Sequence, residues 1–127
     1  MNTANLELCK ELWKLSGWET DDWYDLDDSG RPFEHLATLE DIDLQDTGNE
    51  YIPAYDLGYL LRKLPKFVEY LAEPVKYRPL LKIEDETYTI GYSFAGWKVF
   101  AEADTPEDAV CNLTIELFKQ GILEKTV

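Results

Sequence analysis

Apolar and polar positions follow two periods along this chain, and each change of period marks an element. Leu8, Cys9, Leu12 and Trp13 recur at helical spacing, with Glu7, Lys10, Glu11 and Lys14 on the wet side. That pattern predicts a helix over residues 4 to 16, capped by Thr3 or Asn2 and closed by Gly17. A second helix is predicted from Leu57, Leu60, Leu61 and Leu64, with Pro53 at its first position. Pro65 ends that helix or opens a short turn carrying Phe67, Tyr70 and Leu71.

The period then falls to two. Leu81 and Ile83 alternate with Lys82 and Glu84, and Tyr88, Ile90 and Tyr92 alternate with Thr87 and Thr89. Trp97, Val99, Ala101 and Ala103 face away from Lys98, Phe100 and Glu102. Short turns between these runs predict an antiparallel meander of three strands. Thr105-Pro106-Glu107-Asp108 then supplies a cap, a proline and first-turn acids for a last helix, which Gly121 closes. Its apolar stripes, Ala109-Val110-Leu113-Leu117 and Cys111-Ile115-Phe118, leave only a narrow polar strip at Asn112, Glu116 and Lys119. Such a helix is expected to be covered on two sides, by the sheet and by either another helix or a second subunit. The fold class expected is α+β. A three-stranded or larger antiparallel sheet packs against amino-terminal, middle and carboxyl-terminal helices in one domain, residues 1 to 127.

Residues 18 to 50 read as irregular, with turn signals at Asp28-Ser29-Gly30 and Asp46-Thr47-Gly48-Asn49. Short strands are expected inside this segment at 22 to 26 and 32 to 37. Charge changes the picture most here. The chain carries a net charge of −14, and residues 19 to 50 hold twelve acids against one base, Arg31. A surface of that sign repels nucleic acid and membranes and attracts basic partners. The bases Arg62, Lys63, Lys66, Lys76 and Arg78 are too few for phosphate-driven binding and are expected to balance nearby carboxylates.

Composition excludes several chemistries. No run of eighteen apolar residues spans a bilayer. Met1-Asn2-Thr3-Ala4-Asn5 opens without a basic and apolar leader, so a cytoplasmic location is expected. Cys9 and Cys111 fall in apolar stripes, as reduced core thiols do. The one histidine, His35, has no Cys or His cluster around it, so no metal site of the zinc kind is expected. There is no glycine-rich phosphate loop and no nucleophile elbow. Asp25-Leu26-Asp27-Asp28-Ser29-Gly30 fits the opening of a calcium loop, but Leu36 stands where that loop needs a bidentate Glu. No catalytic residue, metal or cofactor is expected, and the protein reads as a non-enzyme.

Two stretches carry a resemblance. Tyr88-Thr89-Ile90-Gly91-Tyr92, then Lys98-Val99-Phe100-Ala101-Glu102-Ala103-Asp104-Thr105-Pro106-Glu107-Asp108-Ala109, then Ile115-Glu116-Leu117-Phe118-Lys119-Gln120-Gly121-Ile122-Leu123 is one. Ile52-Pro53-Ala54-Tyr55-Asp56-Leu57-Gly58-Tyr59-Leu60-Leu61 is the other. Together they resemble small acidic proteins encoded by tailed phages and prophages. The strand-strand-Asp-Thr-Pro-helix portion is also similar to HicB-type antitoxins. The resemblance implies a bacterial host cell as the setting and implies no activity.

Taken together, the expectation is a non-catalytic protein that binds a basic host or phage protein, without direct contact to nucleic acid or membrane. Glu19, Asp21, Asp22, Asp25, Asp27, Asp28, Glu40, Asp41 and Asp43 would imitate a phosphate array, with Trp23 and neighbouring aromatics as anchors. Some phage-encoded anti-restriction and anti-CRISPR proteins act in this way. The alternative expectation is a structural or accessory protein that self-associates as a homodimer through its carboxyl-terminal helix.

Overall fold

The computed structural model describes residues 2–33, 35–38, 50–70 and 73–125. Its first helix, α1 (Leu6–Ser16), starts later than the sequence pattern places it. Asn5, not Thr3 or Asn2, is the cap, its side-chain oxygen accepting the Leu8 N–H at 3.0 Å. Residues 3 and 4 are drawn into extended pairing instead. Thr3 bridges to Asp56, and the Ala4 N–H donates to the Tyr55 carbonyl at 2.9 Å. Gly17 closes α1 in the left-handed conformation, φ 67°, with its N–H on the Trp13 carbonyl.

The first sheet is antiparallel and runs β2-β1-β3. Strand β1 (Asp22–Leu26) lies where the sequence places it. The strand expected at 32 to 37 shrinks to β2 (Ala37–Thr38), with Pro32 making only an isolated bridge to Leu26. Strand β3 (Glu50–Pro53) was not legible. Pro53 ends this strand opposite Trp23 and does not open the helix that follows. Helix α2 (Leu57–Lys63) is capped by Asp56, which accepts the Tyr59 N–H at 2.8 Å. A proline is tolerated in β3 because β3 is an edge strand.

The second sheet is antiparallel in the order β4-β5-β6-β7: β4 (Val68–Tyr70), β5 (Glu73–Glu84), β6 (Thr87–Ser93) and β7 (Trp97–Ala103). The meander is as expected, with two differences. Strand β5 begins at Glu73, well before Leu81, and the residues after Pro65 form β4, not a helical turn. Val68, almost wholly buried, pairs with Tyr77 and draws this segment into the sheet. Strands β5 and β6 are joined by the two residues Asp85 and Glu86, at φ 49° and 63°, both left-handed as a type I′ turn requires.

Helix α3 (Pro106–Lys119) follows the capping signal of the sequence, Thr105 Oγ1 accepting the Asp108 N–H at 3.1 Å. It lies between β6 and β7 on one side and α1 and α2 on the other. Of the two covers the sequence allowed, the structure supplies helices of the same chain. Val110, Leu113 and Leu117 of α3 join Leu12, Leu26, Leu60, Ile90 and Tyr92 in one core. Each fully buried leucine contributes about 2 kcal/mol by removal of apolar surface from water. Thr114, also fully buried, turns its hydroxyl back to the Val110 carbonyl at 2.8 Å and so leaves no polar group unmet.

Candidate functional site

The acidic stretch is tied down by its backbone. The Tyr55 hydroxyl donates to the Trp18 carbonyl at 2.7 Å and the Tyr59 hydroxyl to the Glu19 carbonyl at 3.0 Å. The indole N–H of Trp23 donates to the Thr20 carbonyl at 2.8 Å. The Asp22 carbonyl accepts the Thr20 hydroxyl at 2.5 Å and the Ala54 N–H at 2.9 Å. Four successive anchors thus fix residues 18 to 22 on the core before β1 begins.

Strand alternation then splits the acids. Side chains on β1 point to opposite faces in turn, so Asp22 and Asp25 leave the strand on different sides. Both are half-buried, while Glu19, Asp21 and Asp28 are exposed. Glu40, Asp41 and Asp43 lie outside the described residues. Trp23, which the sequence offers both as an anchor of this segment on the core and as a contact for a partner, takes the core position. Only 6% of it is exposed, and its ring meets the edge of Trp13 at a centroid separation of 5.0 Å and 72°. A tryptophan packed in this way holds β1 to α1 and is out of a partner's reach.

Asp27 also has an internal task. One of its carboxylate oxygens accepts the Ser29 hydroxyl at 2.6 Å, the Ser29 N–H at 2.9 Å and the Arg31 N–H at 3.0 Å. The Ser29 hydroxyl, and then the Arg31 N–H, hold this carboxyl below its ordinary 3.8. With the Asp27 N–H on the Arg31 carbonyl at 2.8 Å, the segment closes as a tight turn after β1. The stretch that fits a calcium loop in sequence is therefore entered from a strand, with its third position holding the turn together. Among the described residues no three His, Cys, Asp or Glu side chains converge as metal ligands.

The aromatics that do reach the surface are others. Trp18, half-buried, meets Tyr59 and Phe118 edge-on at centroid separations of 6.5 and 5.2 Å. Lys63 Nζ sits over both Trp18 and Tyr59, 5.2 and 5.4 Å from the ring centres. Lys76 lies 4.5 Å from the centre of Phe67. These two lysines, expected to balance carboxylates, rest on aromatic faces. No signal in the sequence brings Trp18, Tyr59 and Lys63 together, because they come from a loop and from successive turns of α2.

The nucleophiles are inert by position. Cys9 and Cys111 are free thiols with no exposed surface. Burial pushes the Cys9 thiol up to about 12, and burial, with Cys9 nearby, raises Cys111 as well. His35 is exposed. An apolar groove of about 290 Å³ lies among Leu57, Leu61, Leu81, Ile90 and Val110. No helix among the described residues is long and apolar enough to cross a membrane. Comparison with protein families, with curated proteins and with solved structures finds no significant match.

Proposed function

We propose that this chain is a non-catalytic binding protein whose acidic segment, from Glu19 to Asp28 and on through Glu40, Asp41 and Asp43, occupies a basic surface of a protein partner in the bacterial cytoplasm. The observation that carries the reading is the contrast between backbone and side chains over residues 18 to 28. The carbonyls of Trp18, Glu19, Thr20 and Asp22 are bonded inward, while Glu19, Asp21 and Asp28 are exposed and no base lies among them. Carboxylates held on a pre-ordered backbone lose little conformational entropy on binding. Their summed field steers a cationic partner, even though each exposed pair is worth only about 0–1 kcal/mol.

Such a surface competes with phosphates for the same lysines and arginines. It suits an inhibitor of a nucleic-acid-binding host protein, in keeping with the phage-like stretches of the sequence. Asp27 serves the turn and Trp23 the core, so the contacting set is Glu19, Asp21, Asp22, Asp25 and Asp28 with the later acids. The apolar faces of α3 lie against the sheet and two helices of the same chain. Competition tests the proposal. Proteins retained from host lysate by the immobilised chain at low salt should be released by excess duplex DNA, whereas retention unaffected by DNA would overturn it.

A further inference from the structure

We infer that two copies of this chain pair edge to edge along β5, as antiparallel strands related by a twofold axis at Leu81. The inference is independent of the acidic surface and rests on the edge that β4 leaves open. Strand β4 reaches only as far as the Val68–Tyr77 pair, so Arg78 to Glu84 pair with β6 on one side. On the other side they meet no strand among the described residues.

The two-residue turn decides which backbone groups face outward. Glu84 and Thr87 close that turn and so bond to each other. By alternation Lys82, Leu80 and Arg78 also point their N–H and C=O groups at β6. Pro79, Leu81 and Ile83 then point theirs at the open edge, which is where a strand accommodates a proline without losing a bond.

The side chains along this edge are apolar and uncovered. Leu81 is 46% exposed, Ile83 63% and Leu80 50%. Leu81 and Ile83 share a face with their partners Ile90 and Tyr88, the face on which α2 and α3 lie. Leu81, with Pro79 and Leu80, borders the apolar groove between β5 and those helices. At the opposite edge of the sheet, β7, the core-side residues Val99, Ala101 and Ala103 are covered by α3, and Phe100 on the other face is the exposed apolar side chain.

The occupant follows from register. With Leu81 on the axis, Leu81 meets Leu81 of the second copy, Pro79 meets Ile83 and Leu80 meets Lys82. Arg78 meets Glu84, an opposite-charge pair that forms twice. Leu81 exchanges backbone bonds with its mate, and each Ile83 N–H finds a Pro79 carbonyl. No base is left facing a base. The run from Lys76 to Lys82 holds three bases and no acid, so the seam is the part of a −14 chain where two copies repel least. Glu84 is already bonded to Lys82 at 2.9 Å within its own strand, and both side chains are exposed and free to admit the arginine.

Sedimentation of the full chain at moderate salt, over the micromolar range and upward, tests the pairing. The expected mass is twice the 14.7 kDa of one chain, with a monomer throughout overturning the inference. Arg78→Glu and Glu84→Arg should each weaken the dimer about tenfold, because each creates two like-charge pairs across the seam. The double variant should restore it. Both sites are exposed, so folding is not at stake, and a double variant no tighter than the singles would refute this register. Leu81→Lys, checked for intact fold by circular dichroism, should be monomeric, and a surviving dimer would show that the seam lies elsewhere.

Discussion

Trp23 carries the clearest quantitative prediction, because its surroundings define whether it anchors the acidic segment or meets a partner. A tryptophan buries about 150–250 Å² of surface, and about 25 cal/mol per Å² makes that roughly 4–6 kcal/mol. Trp23 is 6% exposed and so realises nearly all of it. Its edge contact with Trp13 adds about 1 kcal/mol and its bond to the Thr20 carbonyl about 1 kcal/mol more. Partial collapse of the site offsets some of this in the variant, so Trp23→Ala should cost about 4 kcal/mol, within the range measured for such truncations. That is a large part of a stability of about 5–15 kcal/mol. Trp23→Phe keeps most of the area, loses the N–H and should cost about 1–2 kcal/mol. Urea unfolding followed by far-ultraviolet circular dichroism reads these values without relying on tryptophan fluorescence. Asp21→Asn and Asp28→Asn, at exposed sites, should stay within about 0.5 kcal/mol of the parent. A Trp23→Ala variant that lost less than about 1 kcal/mol would refute the reasoning and return Trp23 to the surface.

Three further outcomes are expected. The Asp27 carboxyl should titrate below 3.8 by NMR and move back up in Ser29→Ala. Because its folded value is the lower one, the turn should add stability above the ordinary value and lose it as pH falls through the folded value. An unshifted carboxyl would mean that the Ser29 and Arg31 bonds do not persist in solution. Cys9, with its thiol near 12, holds only about one thiolate in ten thousand at pH 8, so native protein should react with Ellman's reagent only as it unfolds. A rapid native reaction at either Cys9 or Cys111 would contradict their burial. Replacing Asp85-Glu86 by Asn-Gly should raise stability by about 1 kcal/mol, since both positions are left-handed and Glu86, unlike Asp85, is of a type that rarely adopts that conformation. A loss in thermal or urea unfolding would show that the two carboxylates make contacts that outweigh the strain.

What was legible in the sequence follows the strength of local signals. Thr105-Pro106-Glu107-Asp108 places α3 correctly because the cap, the proline and the acids all act within one turn. The β7 alternation holds because one face is covered and the other is wet. Strand β1 was legible too, though the spacing of its acids was not enough to tell which aromatic faces inward. Trp23 lies between carboxylates, a setting equally suited to a surface anchor and to a buried one. Only its pairing with Trp13 on α1 decides, and that contact is tertiary. The start of α2 was misplaced because Pro53 suits a first helical position and an edge strand alike. The first part of β5 and all of β4 were hidden for a similar reason, as Pro65, Pro74 and Pro79 break any simple alternation. Thr3 lost its capping role to a long-range bridge with Asp56, which no local window contains.

The central claim is that carboxylates on an anchored backbone, and not a reactive group, carry the function. The most direct measurement compares capture of host proteins by the parent chain and by Asp21→Asn/Asp25→Asn/Asp28→Asn, at low and at high salt, after circular dichroism has shown the variant folded. The account predicts basic partners held by the parent at low salt, lost at high salt and not held by the variant. Equal capture by the two proteins, or capture indifferent to salt, would contradict it.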